Sequence, residues 1–182
     1  MRARAFRPLQ RGVSLIELMT AIAVFTILTV MAFPVYTTWI ANQQVRTATE
    51  SVVEGLRVAQ TEALKRNAAV KFVLDTGTGW EVQLDADDSV LRKTAFAEGS
   101  AKVALTVAPA GTSTILFDGL GRPLDKDAVR FTKRVTIDVD SSASITDVRK
   151  MRIVIDTAAA TGVGIRTCDP KLGSTDPRGC PT

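Results

Sequence analysis

The chain has 182 residues, with 23 Lys or Arg against 19 Asp or Glu, no His, and 46% hydrophobic residues. The missing imidazole excludes Ser–His and Cys–His nucleophiles and deprives the two cysteines of the usual companions of a zinc site. The formal charge of +4 overstates the field of the chain, because Arg2, Arg4, Arg7 and Arg11 lie ahead of Gly12 with no acid beside them, leaving 19 basic against 19 acidic residues beyond it. A polyanion would have to be held by a local patch and not by net charge.

Sixteen of the twenty-one residues from Val13 to Phe33 are apolar. At 1.5 Å per residue, a helix of that length crosses a hydrocarbon core of about 30 Å. The basic leader places the N-terminus in the cytoplasm and everything after Phe33 on the far side of the membrane. Glu17 interrupts the run, and an acidic group in a span costs about 2.5–3.5 kcal/mol at the helix centre and less near the interface, so it needs a partner. An ordinary secretory signal has its small cleavage residue after the apolar run; here the small residue, Gly12, precedes it. A cut after Gly12 would keep the span and create a new α-amine a few residues from Glu17.

The order Gly12, Val13, Ser14, Leu15, Ile16, Glu17, Leu18, Met19 resembles the class III signal of type IV prepilins and type II secretion pseudopilins. The resemblance implies that residues 1–12 are a leader removed by a prepilin peptidase, that Val13 becomes the N-methylated first residue, and that Glu17 is the assembly residue, pairing with the N-terminal amine of a neighbouring subunit. The family usually has Phe where this chain has Val13.

Beyond the span, over residues 34–67, the helical period continues past Pro34. Val45, Val52, Leu56, Ala59 and Ala63 form one apolar face, opposite Arg46, Glu50, Glu54, Arg57, Glu62 and Arg66. Lys65 and Arg66 suit the negative end of the helix dipole, and Asn67 suits a left-handed cap. The spacing predicts one helix from about Ser14 to about Arg66, with Tyr36 and Trp39 at the membrane interface.

From Ala68 the period becomes two, which predicts a β-rich domain over 68–182 and an α+β chain overall. A hairpin is expected with 68–75 and 80–84 flanking Thr76-Gly77-Thr78-Gly79, followed by strands at Val90–Phe96, Lys102–Val107, Thr114–Phe117, Val129–Val139, Lys150–Ile155 and Val163–Thr167. Asp118-Gly119-Leu120-Gly121-Arg122-Pro123 reads as a turn and not as a phosphate loop, because no Lys-Ser or Lys-Thr follows. Asp85, Asp87 and Asp88 also read as a turn, since the calcium-loop pattern would need Gly and Glu where Val90 and Phe96 stand. Cys168 and Cys180, in an oxidising compartment, read as a disulfide closing a Pro- and Gly-rich loop, stabilising by about 3 kcal/mol.

The residues 56–67 leading into the first strand, Ala41-Asn42-Gln43-Gln44, the Ile115-Leu116-Phe117 strand with Gly119 and Gly121-Arg122-Pro123, and the closing strand that ends in a cysteine resemble the FimT/GspH group of minor pilins and pseudopilins. The resemblance implies a single-span protein of the inner membrane with its C-terminal domain in the periplasm, later part of a pilus fibre or its tip. Implied partners are other pilins through the N-terminal helix, the prepilin peptidase, and membrane lipid. The tail is more similar to FimT of the pilus, with GspH of the type II secretion system as the alternative. DNA-binding members carry Gly-Arg-x-Arg before the penultimate cysteine; here those positions are Val163, Gly164, Ile165 and Arg166, so one arginine is present. A DNA contact would need Arg166 together with Lys171 and Arg178. No cofactor, metal or catalytic residue is expected, although the composition does not exclude an acid–base pair of Asp and Glu.

Overall fold

The fold is taken from a computed structural model, described for residues 12–75, 79–95, 102–131, 134–143, 145, 147–156, 164–173 and 175–181. The basic leader, Thr76–Thr78 of the expected hairpin, Phe96 and Val163 lie outside the described residues. The chain divides into two compact units, Met1–Thr37 and Thr38–Thr182.

Helix α1 runs over Leu15–Arg66, with Pro34 inside it. In the first unit its apolar side chains are exposed: the most apolar 18-residue window has 0% of its residues buried, and the helix is long and apolar enough to cross a membrane. The hydroxyls of Thr20, Thr26, Thr29 and Thr37 donate to backbone carbonyls three or four residues back, at 2.8 to 2.9 Å.

In the second unit one face of α1 is buried: Ala41, Val45, Ala48, Val52, Leu56, Ala59 and Ala63. Their spacings of three and four are those of an amphipathic helix packed by one stripe. The helix ends as its sequence predicts. Asn67 takes φ 48°, and the N–H groups of Ala68 and Asn67 donate to the carbonyls of Ala63 (3.3 Å) and Leu64 (3.4 Å). That is the paired bonding of a Schellman cap.

Among the described residues nine strands form two antiparallel sheets: β1 Val70–Asp75, β2 Gly79–Leu84, β3 Val90–Ala95, β4 Val103–Ala108, β5 Thr114–Phe117, β6 Pro123–Leu124, β7 Val135–Ser141, β8 Met151–Asp156 and β9 Gly164–Cys168. The orders are β3-β2-β1-β5-β6 and β4-β7-β8-β9. Residues at even spacing point to one face, so Val70, Phe72, Leu74 and Ile115 of the first sheet and Val135, Ile137, Val139, Ile153 and Ile155 of the second join the buried helix face in one hydrophobic cluster. At the crossing of α1 with the first sheet, a Cβ added to Gly55 would stand 2.7 Å from ring atoms of Phe72 and Trp80. Trp80 is held there by donating its indole N–H to Ser51 Oγ at 3.0 Å.

One expectation is corrected and one extended. Val129–Val139 is not one strand: Asp125–Val129 is a turn closed by Asp125 N–H to the Val129 carbonyl at 2.7 Å. Ala128 sits at φ 59°, Val129 is exposed, and β7 begins at Val135. The Asp118–Pro123 turn also leads directly into a short strand, β6, pairing Pro123 with Phe117 and Leu124 with Leu116. Asp118 organises that turn, accepting from the N–H of Leu120 at 3.0 Å and of Arg122 at 2.8 Å, and from Arg122 Nε at 2.7 Å. Burial pushes the Asp118 carboxyl up, but the Arg122 guanidinium and these two N–H groups outweigh it and hold it below its ordinary range. The turn docks on the helix end through the Gly121 carbonyl, which accepts from Gln60 Nε2 at 3.1 Å.

Candidate functional site: the N-terminal segment and the clasped tail

Gly12, Val13 and Ser14 precede α1 and are exposed. A side chain at Gly12 would meet nothing within 4 Å, so neither packing nor backbone conformation within the described residues explains a glycine there. Glu17 lies in the first helical turn, where the positive end of the dipole favours a carboxylate. It lines a shallow open face with Thr20, Ala21, Val24, Phe25 and Leu28. Among the described residues its carboxylate has no hydrogen-bond or ion-pair partner.

The tail is a closed loop. Cys168 and Cys180 are joined by a disulfide with Cα atoms 5.0 Å apart. Inside the loop an Asp-Pro-cation sequence occurs twice: Asp169 accepts from the N–H of Lys171 and Asp176 from the N–H of Arg178, both at 2.9 Å. These are Asx turns, the local structure that an aspartate two residues ahead of a free N–H favours. The Asp169 N–H donates to the Arg178 carbonyl at 2.8 Å and closes the loop across its neck. Gly179 is required at that crossing, since a Cβ would stand 2.1 Å from the Gly173 carbonyl oxygen. Beside the loop, a groove of about 550 Å³ is lined by Asn42, Arg46, Arg149, Met151, Leu172 and Arg178, among others. Asn42 Oδ1 anchors its rim by accepting the Arg149 N–H at 2.8 Å.

The three tail cations stand in different settings. Arg166 on β9 is exposed and reaches Asp156 at 3.5 Å, a carboxylate that Arg134 also approaches at 3.8 Å. Arg178 reaches Asp176 at 3.4 Å. The N–H of Arg178, and then its guanidinium, hold the Asp176 carboxyl below its ordinary range, so the counter-charge is present at neutral pH. Lys171 is exposed, and its ammonium has no partner among the described residues. Sequence reasoning missed Asp156, which the β8–β9 register alone brings beside Arg166. The Asx turns were missed as well, although the repeated Asp-Pro-cation sequence carries their signal.

The acidic turn is neutralised locally. Lys71 Nζ hydrogen-bonds Asp88 and lies 3.5 Å from Asp85, while Asp87 accepts from Ser89 Oγ at 2.7 Å and from its N–H at 3.1 Å. Among the described residues no group of three or more His, Cys, Asp or Glu is placed to hold a metal ion.

A long apolar N-terminal helix followed by an antiparallel β domain is the pilin architecture, and a prokaryotic N-terminal methylation motif matches residues 7–33. The family described as type II transport protein GspH matches residues 48–159, and the chain belongs to that family. Among solved structures, the type IV minor pilin FimU of Pseudomonas aeruginosa PAO1 is 19% identical with a TM-score of 0.52, over 67% of this chain and 87% of FimU. That likeness establishes the shared fold. The minor pseudopilin EpsH from the type 2 secretion system of Vibrio cholerae is 15% identical with a TM-score of 0.48, over 71% of this chain and 99% of EpsH. No curated protein matches the chain.

Proposed function

We propose that the chain is a minor subunit of a type IV pilus that takes part in fibre assembly and has no catalytic role of its own. In this reading a prepilin peptidase removes residues 1–12 and N-methylates Val13, residues 13–33 span the inner membrane, residues 34–67 extend the same helix, and 68–182 form the periplasmic domain. Glu17 meets the α-amine of a neighbouring pilin. The observation that carries the proposal is the apolar run itself: no described residue packs on its most apolar window, so lipid before assembly and neighbouring helices after it must cover that surface. The methylation motif supports the processing step.

A second reading, a pseudopilin of a type II secretion system, is favoured by the description of the matching family. Deletion of the gene separates the two. The pilus reading expects loss of surface fibres, or of the DNA uptake they serve, with secretion of exoenzymes intact; the reverse pattern would move the protein to the secretion system.

DNA binding during uptake belongs to the same proposal and rests on Arg166, Lys171 and Arg178. Three phosphate contacts would give a log–log salt slope of about −2 to −2.7. Phosphates would have to displace Asp156 from Arg166 and Asp176 from Arg178, so the expected binding is weak. The solubilised full chain should retain duplex DNA at about 50 mM salt and lose it by about 200 mM, and Arg166→Ala should flatten the slope by about 0.9. No retention at the lower salt, or an unchanged slope in the variant, would reduce the tail to a structural clasp.

A further inference from the structure

A strand at the edge of a sheet exposes a row of backbone donors and acceptors, and folded proteins blunt such edges with charge, proline, shortness, bulges or a cover. In the first sheet both edges are blunted. β3 carries Arg92 and Lys93, and its ladder shifts register between Val82 and Gln83. β6 has only two residues and begins with Pro123. The second sheet is different. β4, Val-Ala-Leu-Thr-Val-Ala from Val103 to Ala108, has six residues without charge, proline or glycine, and its one ladder among the described residues is to β7. Ala104, Thr106 and Ala108 are exposed on its outer face, and Val103 and Val107 on the inner face are only half-buried.

At the other edge of that sheet, a groove of about 660 Å³ lies between α1 and β9. Val53, Val58 and Ile165 give it an apolar lining, and Glu54, Arg57 and Arg166 give it charge. Four strands joined by three antiparallel pairings leave the two edge strands, β4 and β9, running in opposite directions. Two copies standing side by side in one orientation, as subunits sharing a membrane or a fibre do, therefore bring β4 of one antiparallel to β9 of the other without inverting either. Such a contact is heterologous, so it can repeat.

We propose that β4 of one copy of this chain adds as a fifth strand to the β9 edge of a second copy, laying Val103, Leu105 and Val107 into the groove beside α1. The inference rests on the filament-subunit reading, which supplies the common orientation. The period of two restricts its register. Ile165 and Thr167 oppose the core residues Ile155 and Ile153 and so share their inner face, where the inner residues of β4 must also lie. Arg166 then comes opposite Ala104 or Thr106, whose small side chains leave its guanidinium room. An uncharged strand also brings no like charge against Arg57 and Arg166.

A benzophenone amino acid at Thr106, whose side chain is exposed, tests this in the full chain within the cells that make it. The expected product on irradiation is a covalent dimer whose cross-link maps to residues 164–168 of the second copy. Ala104→Lys, also exposed, should reduce the yield about tenfold by charging the edge. A dimer linked elsewhere, attachment only to a different polypeptide, or no cross-link would overturn the proposal. A chain found in sheared filaments without the Thr106 cross-link defeats this contact and leaves the filament reading standing; a cross-linked chain absent from filaments does the opposite.

Discussion

Glu17→Ala should leave the protein inserted and processed but remove it from filaments by at least about tenfold, which corresponds to about 1.4 kcal/mol per subunit. Taking a carboxylate out of an apolar span lowers the cost of insertion by up to about 2.5–3.5 kcal/mol, so the variant cannot be lost through failure to enter the membrane. On the proposed role, what would disappear is the gain on assembly, when an acidic group with no partner among the described residues meets the amine of a neighbour. Mass spectrometry should still find N-methyl-Val13 at the new N-terminus, and immunoblots of sheared fibres should show the depletion. Wild-type levels in the fibre fraction would refute the role given to Glu17, and a product beginning beyond Phe33 would refute the processing reading as well.

Gly55→Val should cost the β domain about 3 kcal/mol. In an ordinary exposed helix, replacing glycine by alanine gains about 1 kcal/mol. At Gly55 the first added carbon already meets ring atoms of Phe72 and Trp80 at 2.7 Å, and neither ring has an easy retreat. Trp80 is 1% exposed and Phe72 0%, with ring centroids 6.0 Å apart and the indole tied to Ser51. Overpacking of this kind costs about 1–3 kcal/mol and occasionally more, and valine adds two methyl groups to the clash. For a domain of this size the loss corresponds to a fall in Tm of about 6–12 °C. Thermal unfolding of the detergent-solubilised chain, followed by near-ultraviolet circular dichroism, measures it; an unchanged Tm would mean that helix and sheet can part at Gly55 without penalty.

The helical half of the fold was legible because its signals are local. The face Val45, Val52, Leu56, Ala59, Ala63 and the Asn67 cap depend only on spacing along one element, and each is found where the period places it. The strands other than β6 were legible as strands but not as two sheets. Pairing β1 with β5 and β4 with β7 joins segments separated by other strands, and alternation does not encode partners. Val129–Arg130 read as strand because Val is β-branched, but Asp125-Lys126-Asp127 ahead of it made a turn, and Val129 fell on the exposed side of it. At the tail, Arg166, Lys171 and Arg178 were found as charges, while the Asx turns at Lys171 and Arg178 went unread although the repeated Asp-Pro-cation sequence signals them. The carboxylate beside Arg166 has no such signal, because Asp156 arrives through a cross-strand register. The groove between α1 and β9 was invisible for the same reason: it is lined by elements about a hundred residues apart.

The threonines of the span have a mechanical consequence. Because Thr20, Thr26 and Thr29 spend their hydroxyl protons on their own helix, they offer a neighbour no donor, and from Leu15 to Val35 the one ionisable side chain is Glu17. Helices in lipid set their relative height by the polar groups they share and by close packing of small residues. In the proposed assembly, a helix of this composition would slip and rotate against its neighbours with little to hold it until Glu17 met an amine. Inserted in a bilayer as proposed, the helix would behave as a greased shaft with a single detent, free in depth everywhere except at one notch near its N-terminal end.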